Sequence, residues 1–279
     1  MSKGRDRIRD SQLRYKHSLG QHFLYDEALL ASLAEAAEVR PDEDVLEIGP
    51  GVGTLTAALC DRARHVLALE LDERLIPLLQ GFLAGRPNLT LREGDVMTAD
   101  LRDLTKELRP PFAVVANIPY YITTPLILRL LGSGLPLSRL ALMVQQEVAD
   151  KILAAPGTDA WGPLAVRCQY LCQPRLALRV PAACFTPPPK VDSAFVVMPL
   201  RDSPAVAVRD EDRFFRVVGA AFAQRRKTML NNLCAVFRVN RDQALQWIQA
   251  EGLPEKIRGE ALSLEELGRL SDQMEEDRP

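Results

Sequence analysis

The stretch Asp44-Val-Leu-Glu-Ile-Gly-Pro-Gly-Val-Gly53 joins a short apolar run to a glycine-rich turn, and residues 54–63 then have the spacing of a helix. A turn of this kind between a strand and a helix brings main-chain N–H groups close to a ligand. Short apolar runs and helical stretches continue to alternate over roughly 160 residues. This alternation predicts βαβ crossovers, a parallel sheet and therefore a doubly wound α/β domain.

The later part of the chain has a different pattern. The predicted strands are the apolar runs at 44–48, 65–70, 89–92, 112–116, 140–144, 174–180 and 193–199. The only elements predicted beyond residue 204 are helices, at 210–224, 228–237, 241–250 and 263–270. We therefore place a domain boundary near Ser203-Pro204. The chain then divides into a basic N-terminal segment (1–25), an α/β domain (26–203) and a helical C-terminal domain with an acidic tail (204–279).

The composition is that of a globular protein, with 47% hydrophobic and 26% charged residues among 279. No uncharged apolar stretch of about 18 residues is present, so we expect no membrane span. No apolar segment of a secretory signal follows the basic N-terminus. Five cysteines form no Cys-x-x-Cys pair, and only three histidines occur. We therefore expect no metal site, no disulfide framework and a reducing, cytoplasmic location.

The charge is unevenly distributed although 35 basic and 37 acidic residues leave a net charge of only −2. Residues 1–22 hold six basic side chains against two acidic ones, and residues 224–241 hold five basic side chains and no acidic one. Local basic clusters set phosphate affinity through counterion release, so an RNA partner is compatible with the small net charge. On charge alone, a solvated basic surface explains the clusters equally well.

Three features at the carboxyl ends of consecutive predicted strands indicate a nucleoside ligand. The turn reads Gly49-x-Gly51-x-Gly53, which differs from the Gly-x-Gly-x-x-Gly pattern of dinucleotide sites. This spacing favours S-adenosylmethionine, which has no phosphate, over a nicotinamide cofactor. Glu70 ends the second strand, where a carboxylate accepts hydrogen bonds from ribose hydroxyls. Asp95 follows the third strand, where it would accept from the adenine amino group.

Each of these features has an ordinary structural explanation when it is taken alone. The glycines serve equally well as turn formers, and the two carboxylates serve equally well as solvated strand ends. Their joint placement favours a binding site, because open α/β sheets bind ligands at the carboxyl ends of their strands.

The tetrapeptide Asn117-Ile-Pro-Tyr120 follows the fourth predicted strand and resembles the (Asn/Asp/Ser)-x-Pro-(Tyr/Phe) pattern of the amino-methyltransferases. The exocyclic nitrogen of adenine is a poor nucleophile. Two acceptors aimed at its N–H bonds, the Asn117 side-chain oxygen and the Ile118 carbonyl, would favour its charged transition state. Pro119 fixes the turn, and Tyr120 offers a ring on which the base stacks. In isolation the tetrapeptide is an ordinary turn, and its place after this strand favours the catalytic interpretation.

With these motifs in place, the chain resembles the KsgA-type ribosomal RNA adenine dimethyltransferases, a family that also includes the Dim and Erm enzymes. The resemblance runs from about residue 16 to residue 270. It is carried by Leu19-Gly-Gln-His-Phe-Leu24, Leu46-Glu-Ile-Gly-Pro-Gly51, Glu70-Leu-Asp72, Gly94-Asp95, Asn117-Ile-Pro-Tyr-Tyr-Ile122, Phe185-Thr-Pro-Pro-Pro-Lys-Val-Asp-Ser193 and Phe222-Ala-Gln-Arg-Arg-Lys-Thr228. The last two motifs favour the bacterial housekeeping branch over the Erm branch.

The resemblance implies a role for each matching residue. A Rossmann-like methyltransferase domain would bind S-adenosylmethionine beneath a lid segment. The implied cofactor pocket is formed by His22, Leu24, Gly49, Gly51, Glu70, Asp95 and Asn117. Where this chain has His22, many relatives have Asn. Phe185 would flank the target base opposite Tyr120, and Arg225, Arg226 and Lys227 in the helical domain would grip rRNA phosphates.

The resemblance also implies a reaction and a setting. Two methyl groups would pass to N6 of each of two adjacent adenosines in the 3′-terminal stem-loop of 16S small-subunit rRNA. The expected substrate is a pre-ribosomal particle late in assembly, and the expected enzyme is a cytoplasmic monomer. Two alternatives stay open: an Erm-type methyltransferase of large-subunit rRNA, and an RNA-binding assembly factor with secondary catalysis.

Overall fold

The computed structural model describes residues 21–274, so the basic side chains at positions 3–16 and the end of the acidic tail lie outside the described residues. The chain forms two compact units. Within the described residues, the α/β unit comprises 21–149 and 173–200, and the helical unit comprises 150–172 and 201–274.

The α/β unit is built on a seven-stranded sheet with the order β4-β3-β2-β5-β6-β9-β7. Its strands are β2 (Asp44–Ile48), β3 (His65–Glu70), β4 (Leu89–Glu93), β5 (Phe112–Asn117), β6 (Leu137–Gln145), β7 (Arg175–Val180) and β9 (Ser193–Pro199). Strands β2 to β6 are parallel, and β9 lies antiparallel between β6 and β7. The predicted doubly wound α/β class is confirmed, with two antiparallel strands added at one edge.

A separate two-stranded pair joins distant parts of the same unit. β1 (Phe23–Leu24) runs antiparallel to β8 (Phe185–Thr186), with Leu24 opposite Phe185. The segment before the first helix is therefore attached to the proline-rich segment more than 150 residues later in the chain.

Helices connect the parallel strands because each crossover returns the chain to the same edge of the sheet. α1 (Glu27–Ala36) precedes β2. The helices between the parallel strands are α2 (Thr54–Cys60), α3 (Ile76–Phe82), α4 (Leu101–Thr105) and α5 (Thr123–Leu131), and α6 (Gln146–Ile152) follows β6. Asp26 caps α1, since its side chain accepts a hydrogen bond of 3.0 Å from the Leu29 amide. The core strand β5 is buried along residues 112–116.

The sheet has a switch point between β2 and β5. From β2 the chain proceeds outward to β3 and β4, and it then returns to place β5 on the other side of β2. Ile48 pairs with Ala116 at the carboxyl ends of these two parallel strands. The loops that follow them diverge, and such a crevice is where open α/β sheets bind ligands.

The helical unit contains α7 (Pro163–Leu171), α8 (Glu211–Ala223), α9 (Met229–Phe237), α10 (Arg241–Ala250) and α11 (Leu264–Gln273). The boundary predicted near residue 204 differs from the observed division because residues 150–172 belong to this unit. Trp161 is buried there and donates a hydrogen bond of 3.0 Å from Nε1 to the Leu262 carbonyl. Tyr170 stacks on Phe214 with 4.8 Å between ring centroids. These large aromatic residues need a core, and the helices after residue 210 supply it.

No helix among residues 21–274 combines the length and the apolar character needed to cross a membrane.

Candidate active site

A cavity of about 1130 Å³, part of it open to solvent, lies in the α/β unit at the carboxyl ends of β2, β3 and β5. The predicted catalytic and cofactor-binding residues that line it are His22, Leu24, Gly49, Gly51, Glu70, Asp95, Asn117, Ile118, Pro119 and Tyr120. Of all the predicted catalytic and cofactor-binding residues, Phe185 alone does not line the cavity.

The glycine turn requires main-chain conformations that other residues rarely adopt. Gly49, Gly51 and Gly53 have φ angles of +71°, +61° and +80°. A Cβ atom added to Gly51 would lie 2.7 Å from the Phe23 ring, so the turn has no room for a side chain there. A Cβ on Gly49 would lie 3.9 Å from the main-chain oxygen of Asn117. The turn thus places bare main chain between the end of β2 and the end of β5.

Glu70 holds this turn against the end of β3. Its Oε2 accepts a hydrogen bond of 3.0 Å from the Gly51 amide, and its Oε1 accepts one of 2.8 Å from the Asp72 amide. Burial raises the pKa of this carboxyl above its ordinary value. Each carboxylate oxygen has a second lone pair, so Glu70 can accept ribose hydroxyls while it orders both loops.

Asp72 and Gln21 support the rim beside Glu70. The Asp72 carboxylate is buried and pairs with the Arg74 guanidinium at 2.6 Å, which holds the pKa of Asp72 well below its usual range. Gln21 Nε2 donates to Asp72 Oδ2 at 2.9 Å. The segment before β1 is thereby attached to the loop after β3. Gln21 belongs to a motif visible in the sequence, but nothing there indicates its partner 51 residues away.

Glu47 also lines the cavity, although it is not among the predicted site residues. It lies inside β2 and is 1% exposed, and burial, together with a smaller effect of the nearby Glu70 charge, raises the pKa of its carboxyl to about 8. Oε2 has no hydrogen-bond partner of good geometry among the described residues, and the nearby Thr56 side chain lowers the pKa of the carboxyl. A carboxylate in the middle of an apolar strand was the available signal, because such a group requires a partner.

Asn117 ends β5 and its amide is oriented by the main chain of the opposite segment. Nδ2 donates a hydrogen bond of 3.0 Å to the carbonyl oxygen of His22. This bond uses the nitrogen end of the amide, so the oxygen end is the one that can accept from a ligand. The orientation is the one that the predicted catalytic role requires.

Tyr120 is fixed from two sides. Its hydroxyl lies 2.6 Å from the hydroxyl of the buried Ser193, and burial raises the pKa of the phenol. The His22 ring stacks on the Tyr120 ring with 5.7 Å between centroids and 21° between planes. His22 Nδ1 lies 2.7 Å from the Pro187 carbonyl, and since a carbonyl only accepts, Nδ1 carries the proton of this bond.

Phe185 occupies a different place from the one implied by the resemblance. It is 2% exposed and packs in the apolar core of the α/β unit, because its pairing with Leu24 sets it in the β1–β8 pair. The Phe185 residue does not line the cavity, and the ring stacked on Tyr120 is that of His22.

The three predicted RNA-binding residues of the helical unit differ in their surroundings. Arg225 Nη2 donates to the carbonyls of Asp159 at 2.7 Å and Trp161 at 2.9 Å. Arg226 and Lys227 are exposed. Arg225 thus holds the loop before α7, whereas its two neighbours present their charges to solvent.

The five cysteines, which all lie within residues 21–274, are free thiols. Cys168 and Cys172 are buried, and burial raises the pKa of the Cys172 thiol to about 12. Across residues 21–274, no three His, Cys, Asp or Glu side chains group as metal ligands would.

A Rossmann-like sheet with a glycine turn and an Asn-x-Pro-Tyr turn at its switch point is the architecture of an S-adenosylmethionine-dependent methyltransferase. Residues 12–273 match the family described as ribosomal RNA adenine dimethylase, and the chain belongs to this family. Ribosomal RNA small subunit methyltransferase A of Streptococcus thermophilus is 43% identical over 268 residues, which cover 94% of this chain and 92% of the relative. The same-named protein of Streptococcus pneumoniae is 43% identical over 264 residues, which cover 92% and 91%.

Solved structures agree with the sequence relatives. A dimethyladenosine transferase from Plasmodium falciparum superposes with a TM-score of 0.76 at 27% identity, covering 89% of this chain and 96% of that one. The 23S rRNA methyltransferase ErmE superposes with a TM-score of 0.71 at 30% identity, covering 90% and 98%.

Proposed function

We propose that this protein transfers methyl groups from S-adenosylmethionine to N6 of adenosine in small-subunit ribosomal RNA and forms N6,N6-dimethyladenosine. The proposal rests on the orientation of the Asn117 amide. Its nitrogen donates a hydrogen bond to the His22 carbonyl, so its oxygen can accept a hydrogen bond from the substrate amine. The names and 43% identity of the curated relatives support the small subunit as substrate.

The cavity fits S-adenosylmethionine group by group. Glu70 would accept from the ribose hydroxyls, and Asp95 would accept from the adenine amino group. The Glu47 carboxyl, which is buried at the cavity, would accept a hydrogen bond from the ammonium group of the amino-acid end. Leu71 lines the cavity with 47% of its surface exposed and would cover an adenine face. When bound, the cofactor supplies an electrophilic methyl group on a positively charged sulfur.

The residues after β5 would act on the substrate amine. The Asn117 side-chain oxygen and the Ile118 carbonyl accept from its two N–H bonds and stabilise positive charge as it develops on nitrogen. Tyr120 supplies a stacking surface whose tilt is set by its hydrogen bond to Ser193. No base needs to act before attack, because the proton leaves after the methyl group is attached. Orientation therefore supplies most of the acceleration.

The finer assignments rest on the family. We propose that the substrates are two adjacent adenosines in the 3′-terminal stem-loop of 16S rRNA within a pre-ribosomal particle, methylated by a monomeric enzyme in the cytoplasm. Arg226 and Lys227 would bind rRNA phosphates, which positions the enzyme without reading sequence. The basic segment at residues 1–25 would add further phosphate contacts.

The two alternatives predict different results. An Erm-type enzyme would methylate large-subunit rRNA, as the name of ErmE describes for that protein, but ErmE is 30% identical whereas the small-subunit relatives are 43% identical. An assembly factor with secondary catalysis would promote small-subunit maturation even when Asn117 is replaced.

The test uses the purified protein with S-adenosylmethionine and either small or large ribosomal subunits from cells that lack the modification. Mass spectrometry of nuclease digests should detect dimethyladenosine in small-subunit rRNA alone. An Asn117→Ala protein of unchanged thermal stability serves as the matched control and should yield none. Methylation of the large subunit would favour the Erm alternative, and no transfer to either subunit would overturn the proposal.

A further inference from the structure

Tyr121 is an exposed aromatic residue at the mouth of the cavity. Tyr121 lines the cavity, yet 58% of its surface is exposed. It is the one aromatic ring among the exposed large apolar side chains of residues 21–274, the others being Leu71, Leu128, Val191 and Val236. An aromatic ring exposed at the edge of a site offers a face on which a nucleic-acid base can stack.

The main chain holds Tyr121 in place. Residues Tyr120–Ile122 form a single 3₁₀ turn between β5 and α5. The Ile122 amide donates to the Pro119 carbonyl at 3.1 Å, and the first residue of α5, Thr123, is buried. The ring therefore projects from an ordered turn, next to a neighbour whose hydroxyl is bonded to Ser193.

We propose that Tyr121 is a stacking residue for the nucleotide base that flanks the target adenine. This inference rests on the proposed function. A base that enters the cavity beside Tyr120 leaves the stack of its own strand, and its neighbour then loses a stacking partner. An aromatic side chain one residue further along the protein chain, at the cavity mouth, can replace that partner. Aromatic rings bind single-stranded bases in this way without reading their sequence.

This role separates Tyr121 from the catalytic residues. Tyr121 would hold the RNA strand at the cavity mouth and would touch neither the methyl group nor the attacking nitrogen. For a substrate with two adjacent adenosines, the flanking base is the second adenosine. Loss of the ring should therefore weaken RNA binding and leave the rate at saturating RNA unchanged.

The test compares variants on a protein-free RNA that the wild-type enzyme methylates. Tyr121→Ala should raise KM for RNA about tenfold, whereas kcat and the Kd for S-adenosylmethionine stay within about twofold of wild type. Tyr121→Phe, which keeps the ring, should restore the wild-type KM. Leu128→Ala is the matched control, because Leu128 is also an exposed apolar residue, at 39%, but does not line the cavity.

Fluorescence identifies the base involved. RNAs with 2-aminopurine on the 5′ or the 3′ side of the target adenine should show quenching at one of the two positions with wild-type protein and none with Tyr121→Ala. An unchanged KM, or a loss confined to kcat, would overturn the inference while wild-type methylation upholds the proposed function. A Tyr121→Ala defect seen on ribosomal particles and absent on protein-free RNA would indicate a protein partner and would also overturn it.

Discussion

The side-chain amide of Asn117 and the main-chain carbonyl of His22 are joined by a hydrogen bond of 3.0 Å across 95 residues of sequence. The bond links the end of β5 to the segment just before β1, so the predicted catalytic amide and the predicted lid are ordered together. Because its acceptor is a main-chain atom, the bond does not depend on the side chain at position 22.

Replacement of Asn117 should therefore be far more harmful than replacement of His22. We expect Asn117→Ala to lower kcat by at least about 100-fold, since it removes an acceptor from the reacting amine. His22→Ala keeps the carbonyl and should cost roughly tenfold or less. Single-turnover methylation measures both. Equal losses in the two variants would show that the amide has no special role.

The glycine turn should tolerate no side chain at position 51. Gly51→Ala forces a Cβ against Phe23 at a φ of +61°, so we expect S-adenosylmethionine affinity to fall at least about tenfold. Gly81→Ala is the matched control, because no atom lies within 4 Å of its added Cβ in α3 and alanine favours a helix. Calorimetric titration compares the two, and wild-type affinity in Gly51→Ala would contradict the close approach of the ligand to the main chain.

The Tyr120–Ser193 hydrogen bond should appear as a coupling energy. Tyr120→Phe leaves the buried Ser193 hydroxyl without its partner, and Ser193→Ala leaves the Tyr120 hydroxyl half-buried without one. We expect the double variant to be more stable than the sum of the single changes by about 0.5–1.5 kcal/mol. Urea denaturation of the four proteins gives this value. Strict additivity would mean that the two hydroxyl groups do not interact.

Glu47 should make stability depend on pH. The unfolded carboxyl loses its proton near its ordinary pKa of 4.5, whereas the folded one keeps its proton up to a pKa of about 8. The folded state therefore binds one more proton in this window, and the contribution of Glu47 to stability, fully present below pH 4.5, is lost as pH rises to about 8.

The Glu47→Gln protein removes this dependence, because an amide does not titrate. Relative to wild type, its melting temperature should rise from pH 5 to pH 8 by several degrees, since each unit of pKa difference is worth about 1.4 kcal/mol. The difference should level off above pH 8. A difference that stays constant over this range would mean that Glu47 ionises normally in the folded protein.

The basic cluster of the helical unit should divide into one structural and two RNA-binding residues. Arg225→Ala loses two hydrogen bonds to main-chain carbonyls and should lower the melting temperature by at least about 2 °C. Arg226→Ala and Lys227→Ala should leave the melting temperature unchanged. Each should lower the slope of log K for RNA binding against log salt concentration by about one. A loss of stability in Arg226→Ala or Lys227→Ala as large as the loss in Arg225→Ala would contradict this division.

Local patterns were sufficient to predict the sheet and most of the cavity. Apolar runs followed by glycine, by a strand-ending carboxylate or by Asn-x-Pro-Tyr place their residues at strand ends, and parallel strands bring those ends together. Gly49, Glu70 and Asn117 line one cavity for this reason.

Contacts across long stretches of sequence could not be predicted. Nothing near Phe185 indicates that β8 pairs with Leu24 and buries the ring, and nothing near Arg225 indicates that its guanidinium binds the loop at residues 159–161. Each role depends on a partner more than 60 residues away, whereas the motifs depend on neighbours. Glu47 is different, because its unusual position inside an apolar strand was visible in the sequence.

The helical unit consists of two separate segments of the polypeptide, which are residues 150–172 and 201–274 of the described chain. A fragment that encodes only residues 204–279 would lack Trp161, Val166 and Tyr170, which fill the centre of that unit beside Phe214 and Leu262. Its hydrophobic residues would then face water, and aggregation would follow. Exchange of this unit between relatives therefore requires both segments to be transferred together, and a single recombination point cannot achieve it.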